Sequence, residues 1–195
     1  MRPLALRYPY RRWWCAVRIR VAGRTLEVPE GIRPTQDHVR RSLFDRLGEG
    51  VAGTRMIELF AGSGAVGIEA LCRGAEFVLF VERGRPGALA ITKNLRRLGL
   101  SEKARVMKRT AASALRELGR RGEVFDWGFA DPPYDFPFLA RSLEGLERVI
   151  APGGLFILET RAGEELPVIP GFEAENKWRM RDVVLGIYRR LSGQL

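Results

Sequence analysis

The sequence predicts an α/β fold, a doubly wound, Rossmann-like and mostly parallel sheet with a small β-hairpin plus helix ahead of it and an antiparallel hairpin at its C-terminal end. Three observations predict it. Short apolar runs alternate with helix-period stretches from residue 55 to residue 160. A glycine loop from Gly62 to Gly67 separates the first of those runs from the helix that follows. Two strand-like segments close the chain with no room for a helix between them. Parallel neighbours need crossover connections, and the helical stretches supply them in right-handed form.

Taken in order, Met1 to Ala16 mixes Arg2, Arg7, Arg11 and Arg12 with Tyr8, Tyr10, Trp13 and Trp14, and prolines interrupt any period. Basic residues interleaved with aromatics can bind RNA by charge and stacking. Without a regular pattern, 1–16 reads as a poorly ordered tail ahead of one domain over 17–195, divided into a hairpin and helix (17–50) and a sheet core (51–195). Val17, Ile19 and Val21 alternate with Arg18 and Arg20, the chain turns at Gly23 and returns through Leu26 and Val28, which is a hairpin with a basic outer face. Thr35 reads as the N-cap of a helix with the apolar stripe Val39, Leu43, Phe44 and Leu47, stopped by Gly48. Arg33, His38, Arg40 and Arg41 decorate that helix. A solvated face is the ordinary reading of such charge; an entrance that contacts phosphates is the functional one. His38 has no partner spacing for a metal or a triad.

In the core, Met56–Phe60 reads as a strand and Ala65–Cys72 as a helix, followed by the strand Phe77–Val81 and the helix Pro86–Leu98 with Leu89, Thr92, Leu95 and Leu98 inward. The strand Ala104–Lys108 and the helix Ala112–Leu118 come next. Then follow the strand Phe125–Ala130, the helix Phe138–Ile150 and the strand Leu155–Glu159. Phe172–Arg179 and Val183–Arg189 form the closing hairpin.

Composition narrows the function. A chain of 195 residues that is 46% hydrophobic can bury one full α/β core. No apolar run approaches the roughly 20 residues of a membrane span, and the arginine-rich start lacks the apolar centre of a signal peptide. Cys15 and Cys72 make no disulfide framework, so a reducing, cytoplasmic setting is expected, with no metal site and no demand for more than a monomer. Lys+Arg 33 against Asp+Glu 23 gives +10 and favours a polyanionic partner.

Two motifs carry chemistry. In Glu58-Leu59-Phe60-Ala61-Gly62-Ser63-Gly64-Ala65-Val66-Gly67, the glycines allow a ligand to approach the backbone and the helix to approach the strand. Glu82 ends the second strand, where its carboxylate suits a ribose diol. A nucleoside-bearing cofactor follows, either NAD or S-adenosylmethionine, and the loop alone leaves that choice open. The second motif is Asp131-Pro132-Pro133-Tyr134, at the end of a buried strand. Two prolines stiffen the turn and donate no backbone hydrogen. The carboxylate of Asp131 and the carbonyl of Pro132 can accept the hydrogens of a ring amine while Tyr134 stacks on the ring.

Together with Glu82, these motifs resemble the S-adenosylmethionine-dependent amino-methyltransferases. The segment Arg33-Pro34-Thr35-Gln36-Asp37-His38-Val39-Arg40-Arg41-Ser42-Leu43-Phe44 resembles, more narrowly, the bacterial 16S rRNA (guanine-966-N2) methyltransferases, which also open with a basic hairpin. The resemblance runs from Val17 to about Arg190. It implies a class I methyltransferase sheet and methyl transfer to the exocyclic N2 of a guanine in 16S rRNA or the assembling small ribosomal subunit. It also implies Asp131, Pro132 and Tyr134 as catalytic residues. Glu58, Phe60, Ala61, Gly62, Ser63, Gly64, Gly67, Glu82, Thr110 and Ala111 are the implied cofactor site, and Arg18, Arg20, Arg33, Thr35 and Arg40 the implied RNA contacts. Family members typically begin Met-Arg-Ile or Met-Arg-Val; Val17-Arg18-Ile19 stands in that place, so Met1 to Ala16 is expected to be dispensable or a mis-assigned start. Gln36, His38 and Arg41 depart from the family signature, and Thr110 beside Arg109 replaces its frequent acidic or amide residue. Three other readings compete. Methylation of adenine N6 in DNA or RNA would use the same tetrapeptide. An NAD-dependent oxidoreductase would leave 131–134 unused, and a non-catalytic RNA-binding module would account for charge alone.

Overall fold

A computed structural model describes residues 17–29, 35–133 and 136–193. The expected tail 1–16, Arg33 and Tyr134 lie outside the described residues, as does the side chain of Arg18. The hairpin is β1 (Val17–Val21) and β2 (Arg24–Val28), in register from Val17–Val28 to Val21–Arg24. Helix α1 (Asp37–Leu47) follows and buries Val39, Leu43 and Phe44 of the apolar stripe read from the sequence, with its last member, Leu47, half-buried against the same core. Its N-cap is Gln36 and not Thr35, which is turned to another task described below.

The core strands are β3 (Arg55–Leu59), β4 (Phe77–Val81), β5 (Ala104–Met107), β6 (Phe125–Ala130), β7 (Ile150–Arg161), β8 (Phe172–Met180) and β9 (Val183–Arg190). They form one sheet in the order β5-β4-β3-β6-β7-β9-β8. The first five strands in that order are parallel neighbours, and β9 and β8 pair antiparallel at the end. The predicted mixed sheet is therefore the observed one. The strand order reverses between β3 and β6, the place where such sheets open a crevice at their carboxyl ends.

Side chains of the central strands alternate between two cores, as strand geometry requires. Met56, Val78 and Phe80 pack with α1, α2 (Ala65–Cys72), α3 (Arg85–Leu98) and the hairpin. Ile57, Leu79 and Val81 face the other way, against Ala114, Leu115 and Leu118 of α4 (Ala111–Arg121). Asn94 of α3 is buried and completes the edge of β2, accepting from the Glu27 N–H at 3.1 Å and donating to its carbonyl at 2.9 Å.

Three expectations need correction. Leu89 is 54% exposed: the inward stripe of α3 is Ala88, Ile91 and Leu95, turned so that Asn94 can meet the hairpin. The stretch 138–150 is not one helix. Gly145 takes φ 85, a left-handed conformation that interrupts the helical path, and leaves a four-residue helix α5 (Leu139–Ser142) and a 3-10 turn at Leu146–Arg148. Strand β7 starts at Ile150, earlier than expected, and bulges through Pro152 and two glycines before pairing Leu155 with Trp127.

Candidate active site

The glycine loop and the acidic corner leave adjacent strands at the same level. Leu59 pairs with Ala130, so the next residues, Phe60 and Asp131, emerge side by side at the switch point. Both line a cavity of about 610 Å³, with Gly62, Glu82, Thr110, Ala111 and Pro132 also on its walls. Phe60 holds φ 55, which costs a bulky residue about 1–3 kcal/mol and is sustained by its surroundings. Its ring meets Phe136 edge-on at 5.7 Å, and Phe136 meets Phe138 at 6.1 Å.

Two carboxylates secure the loop from inside the protein. Gly62 N–H donates to Glu82 at 2.8 Å and Gly84 N–H to its other oxygen at 2.5 Å. Gly67 N–H donates to Glu58 at 2.9 Å. Glu58 lies behind the loop, off the cavity wall, and burial pushes its carboxyl up to about 8, assisted by the charges of Asp131 and Glu82 and opposed by the Gly67 and Val66 N–H groups. The glycines are needed for contact: a Cβ on Gly67 would stand 2.5 Å from the Phe80 ring, and one on Gly87 would stand 2.6 Å from the Gly62 carbonyl. Ala61, Ser63, Gly64 and Gly67 build the turn without facing the cavity. Thr110 caps α4, accepting from Ser113 N–H at 3.3 Å, and still reaches the cavity wall.

Asp131 is half-buried and accepts a hydrogen bond from the Thr35 hydroxyl at 3.3 Å. Pro132 is buried beneath it. Thr35 thus faces the acidic corner, away from the position expected of a phosphate contact. Arg40 corrects a second expectation: it is 1% exposed, too deep to meet a phosphate. Its guanidinium donates to Glu69 of α2 at 2.6 Å, to the Arg20 carbonyl of β1 at 2.7 Å and to the Thr35 carbonyl at 3.4 Å, and it pairs with Asp37 at 3.0 Å. Of the expected RNA contacts, Arg20 keeps an exposed side chain. Sequence reasoning missed Phe136 and Glu159, both on the cavity wall. Each had a signal: an aromatic two residues past the tetrapeptide, and an acid at the carboxyl end of a central strand.

A family model described as "Conserved hypothetical protein 95" matches residues 19–189. The chain belongs to this family. Ribosomal RNA small subunit methyltransferase D of Escherichia coli is 35% identical over 152 residues, covering 76% of this chain and 75% of that protein. The Haemophilus influenzae protein of the same name is 34% identical, covering 74% and 77%. Among solved structures, yhhF of Escherichia coli superposes with a TM-score of 0.80 at 31% identity, covering 91% of this chain and 100% of that one. These relatives agree with the resemblance carried by the hairpin, the helix signature and the tetrapeptide. At the level of fold alone, a Thermus thermophilus 16S rRNA N2 G1207 methyltransferase solved with AdoMet and guanosine matches at TM-score 0.67 and 21% identity, covering 92% of this chain and 51% of that one.

Among the described residues, no helix is long and apolar enough to cross a membrane, and no group of acids, histidines and cysteines could hold a metal ion.

Proposed function

We propose that this protein transfers the methyl group of S-adenosylmethionine to the exocyclic N2 of a guanine in 16S ribosomal RNA. The observation that carries the reading is the shared exit of Phe60 and Asp131 into one cavity, which sets an amine acceptor beside a nucleoside cradle. Family membership and the relatives' names support methylation of ribosomal RNA.

The chemistry of the cradle favours S-adenosylmethionine over NAD. A pyrophosphate needs unspent N–H donors at the helix N-terminus. Here the Gly62 and Gly67 N–H groups are already held by side-chain carboxyl groups, and Glu82 beside Gly62 is an acceptor that disfavours a phosphate there but suits a sulfonium. Glu82 accepts two backbone hydrogens and has acceptor capacity left for ribose hydroxyls, because an ionised carboxylate offers about four sites.

Guanine N2 is a poor nucleophile while its lone pair is delocalised into the ring. Asp131 and the Pro132 carbonyl, by accepting the N2 hydrogens, favour the pyramidal form and the positive charge that develops as N2 attacks the methyl carbon. The C–S bond breaks, S-adenosylhomocysteine leaves as a neutral thioether, and the N2 proton passes to Asp131 or water. Tyr134 is assigned to stacking on the base. The guanine must be unpaired or swung from its stack, at a cost of a few kcal/mol. Exposed Arg20 and Arg24 on the hairpin offset part of that cost through flanking phosphates.

Labelled methyl transfer to small-subunit RNA lacking its modifications, followed by mapping, tests this. Label is expected on one guanine N2. The Asp131→Ala variant is expected to lose roughly 10³-fold or more in rate while binding S-adenosylhomocysteine normally. Label on an adenine, or full turnover by the variant, would overturn the reading.

A further inference from the structure

The acidic corner has a second member. Ala130 of β6 pairs with Leu158 of β7, so Asp131 and Glu159 are the next residues on two neighbouring parallel strands. Such strands run about 4.8 Å apart, and residues at matching positions point to the same face. Both side chains line the larger cavity. Glu159 is 3% exposed, and it also lines a second cavity of about 320 Å³ that shares Pro132, Pro133 and Phe136 with the first. One buried carboxylate therefore stands at the junction of the two spaces, beside the carboxylate assigned to the amine.

We propose that Glu159 reads the N1–H of the target base and makes the site selective for guanine. The inference rests on the methyltransferase reading above. Guanine presents two adjacent kinds of donor on its pairing edge, the N2 amine and N1–H. Adenine and 2-aminopurine present an amine beside an N1 that only accepts. An ionised carboxylate is an acceptor only, so a pair of carboxylates fits the first pattern and meets the second with two lone pairs face to face. Glu159 is engaged within the protein as well. A carboxylate's roughly four acceptor sites leave room for the base beside that interaction. Pro132, Pro133 and Phe136 give the space beside Glu159 apolar walls, and a site built to bond a donor rejects the analogue lacking it more strongly than a merely hydrophobic pocket does.

The test uses one small-subunit RNA fragment in two forms, with guanine or 2-aminopurine at the mapped position. 2-Aminopurine keeps the N2 amine and lacks N1–H. Wild-type protein is expected to methylate the guanine form about 100-fold faster or more. Glu159→Gln offers either an acceptor or a donor, so its preference is expected to fall at least about tenfold, with S-adenosylhomocysteine affinity unchanged. Glu159→Asp keeps the carboxylate and is expected to keep the preference at a lower rate. A Gln variant that binds the cofactor product and discriminates like wild type overturns the proposal, as does an Asp variant that methylates but discriminates no better than Gln. Wild-type protein that methylates neither RNA defeats the parent reading, whereas wild type that methylates guanine and 2-aminopurine equally defeats this one alone.

Discussion

The two loops that meet at the switch point are made rigid by opposite means. The glycine loop has almost no side chains of its own, and its shape is held by acids that belong to other segments, Glu58 behind Gly67 and Glu82 beside Gly62. The acidic corner keeps its working side chain and takes its stiffness from its backbone, through Pro132 and Pro133, and its carboxylate accepts from the Thr35 hydroxyl. The difference follows from what each loop offers. Where a ligand must lie against backbone, side chains would be in the way, so the restraints come from elsewhere. Where a carboxylate must do the chemistry, the peptide beneath it can be locked by rings and the side chain turned by bonds such as that from the Thr35 hydroxyl.

Arg40 ties the two systems together at one remove, through the Thr35 carbonyl on one side and Glu69 of α2, the helix that continues the glycine loop, on the other. Replacing it with methionine breaks the comparison altogether. Glu69 keeps Arg73 as a partner, but the buried end of the pair loses its charge balance. Arg40→Met is expected to cost about 3–5 kcal/mol. For a chain of this size that lowers the melting temperature by about 6 °C or more. A melting temperature within about 2 °C of wild type would show that the strut carries no load.

Glu58→Gln sharpens the glycine-loop half. The native carboxyl titrates near 8, above the ordinary value of 4.5, because of burial. A raised carboxyl contributes stability that is fully present below about pH 4.5 and lost as pH rises through about 8, since the unfolded chain releases its proton first. The glutamine amide cannot ionise and can still accept from Gly67 N–H. The variant should gain on wild type by about 2–4 kcal/mol between pH 5 and pH 8.5. Thermal melts across that range give the difference, and a pH-independent difference would show that Glu58 does not titrate at a raised value behind the loop.

The contrast also separates what was legible in the chain from what was not. Period-two and helix-period patterns gave the sheet, its hairpins and most helices, because burial on one or both faces writes itself into local spacing. The glycine loop and the Asp-Pro-Pro corner were legible because their physical demands, missing side chains and missing N–H groups, are properties of residue type. Arg40 was read as surface charge, since an arginine's burial depends on partners such as Glu69, 29 positions away, and on a carbonyl from another strand. Glu159 was missed for a related reason: its place beside Asp131 is a matter of β6–β7 register, which no local pattern encodes. Leu89 and the broken helix after 138 failed where a distant contact or one left-handed glycine outweighed periodicity.

Thr35→Val tests the other half. Valine matches threonine in shape and removes only the hydroxyl, so Asp131 loses the bond at 3.3 Å while the Thr35 carbonyl, and with it Arg40, keeps its place. If the hydroxyl fixes which way the carboxylate faces, its loss is felt where N2 becomes pyramidal and little in the cradle, where Thr35 has no bond to the glycine loop among its recorded partners. The expected result is a fall in kcat of about tenfold, near 1.4 kcal/mol, with the KM for S-adenosylmethionine unchanged. Thr35→Ser, which restores a donor, should recover most of the rate. Were Thr35 a phosphate contact instead, the valine variant would raise the KM for RNA and leave kcat alone, and the Thr35 hydroxyl would not be what orients Asp131.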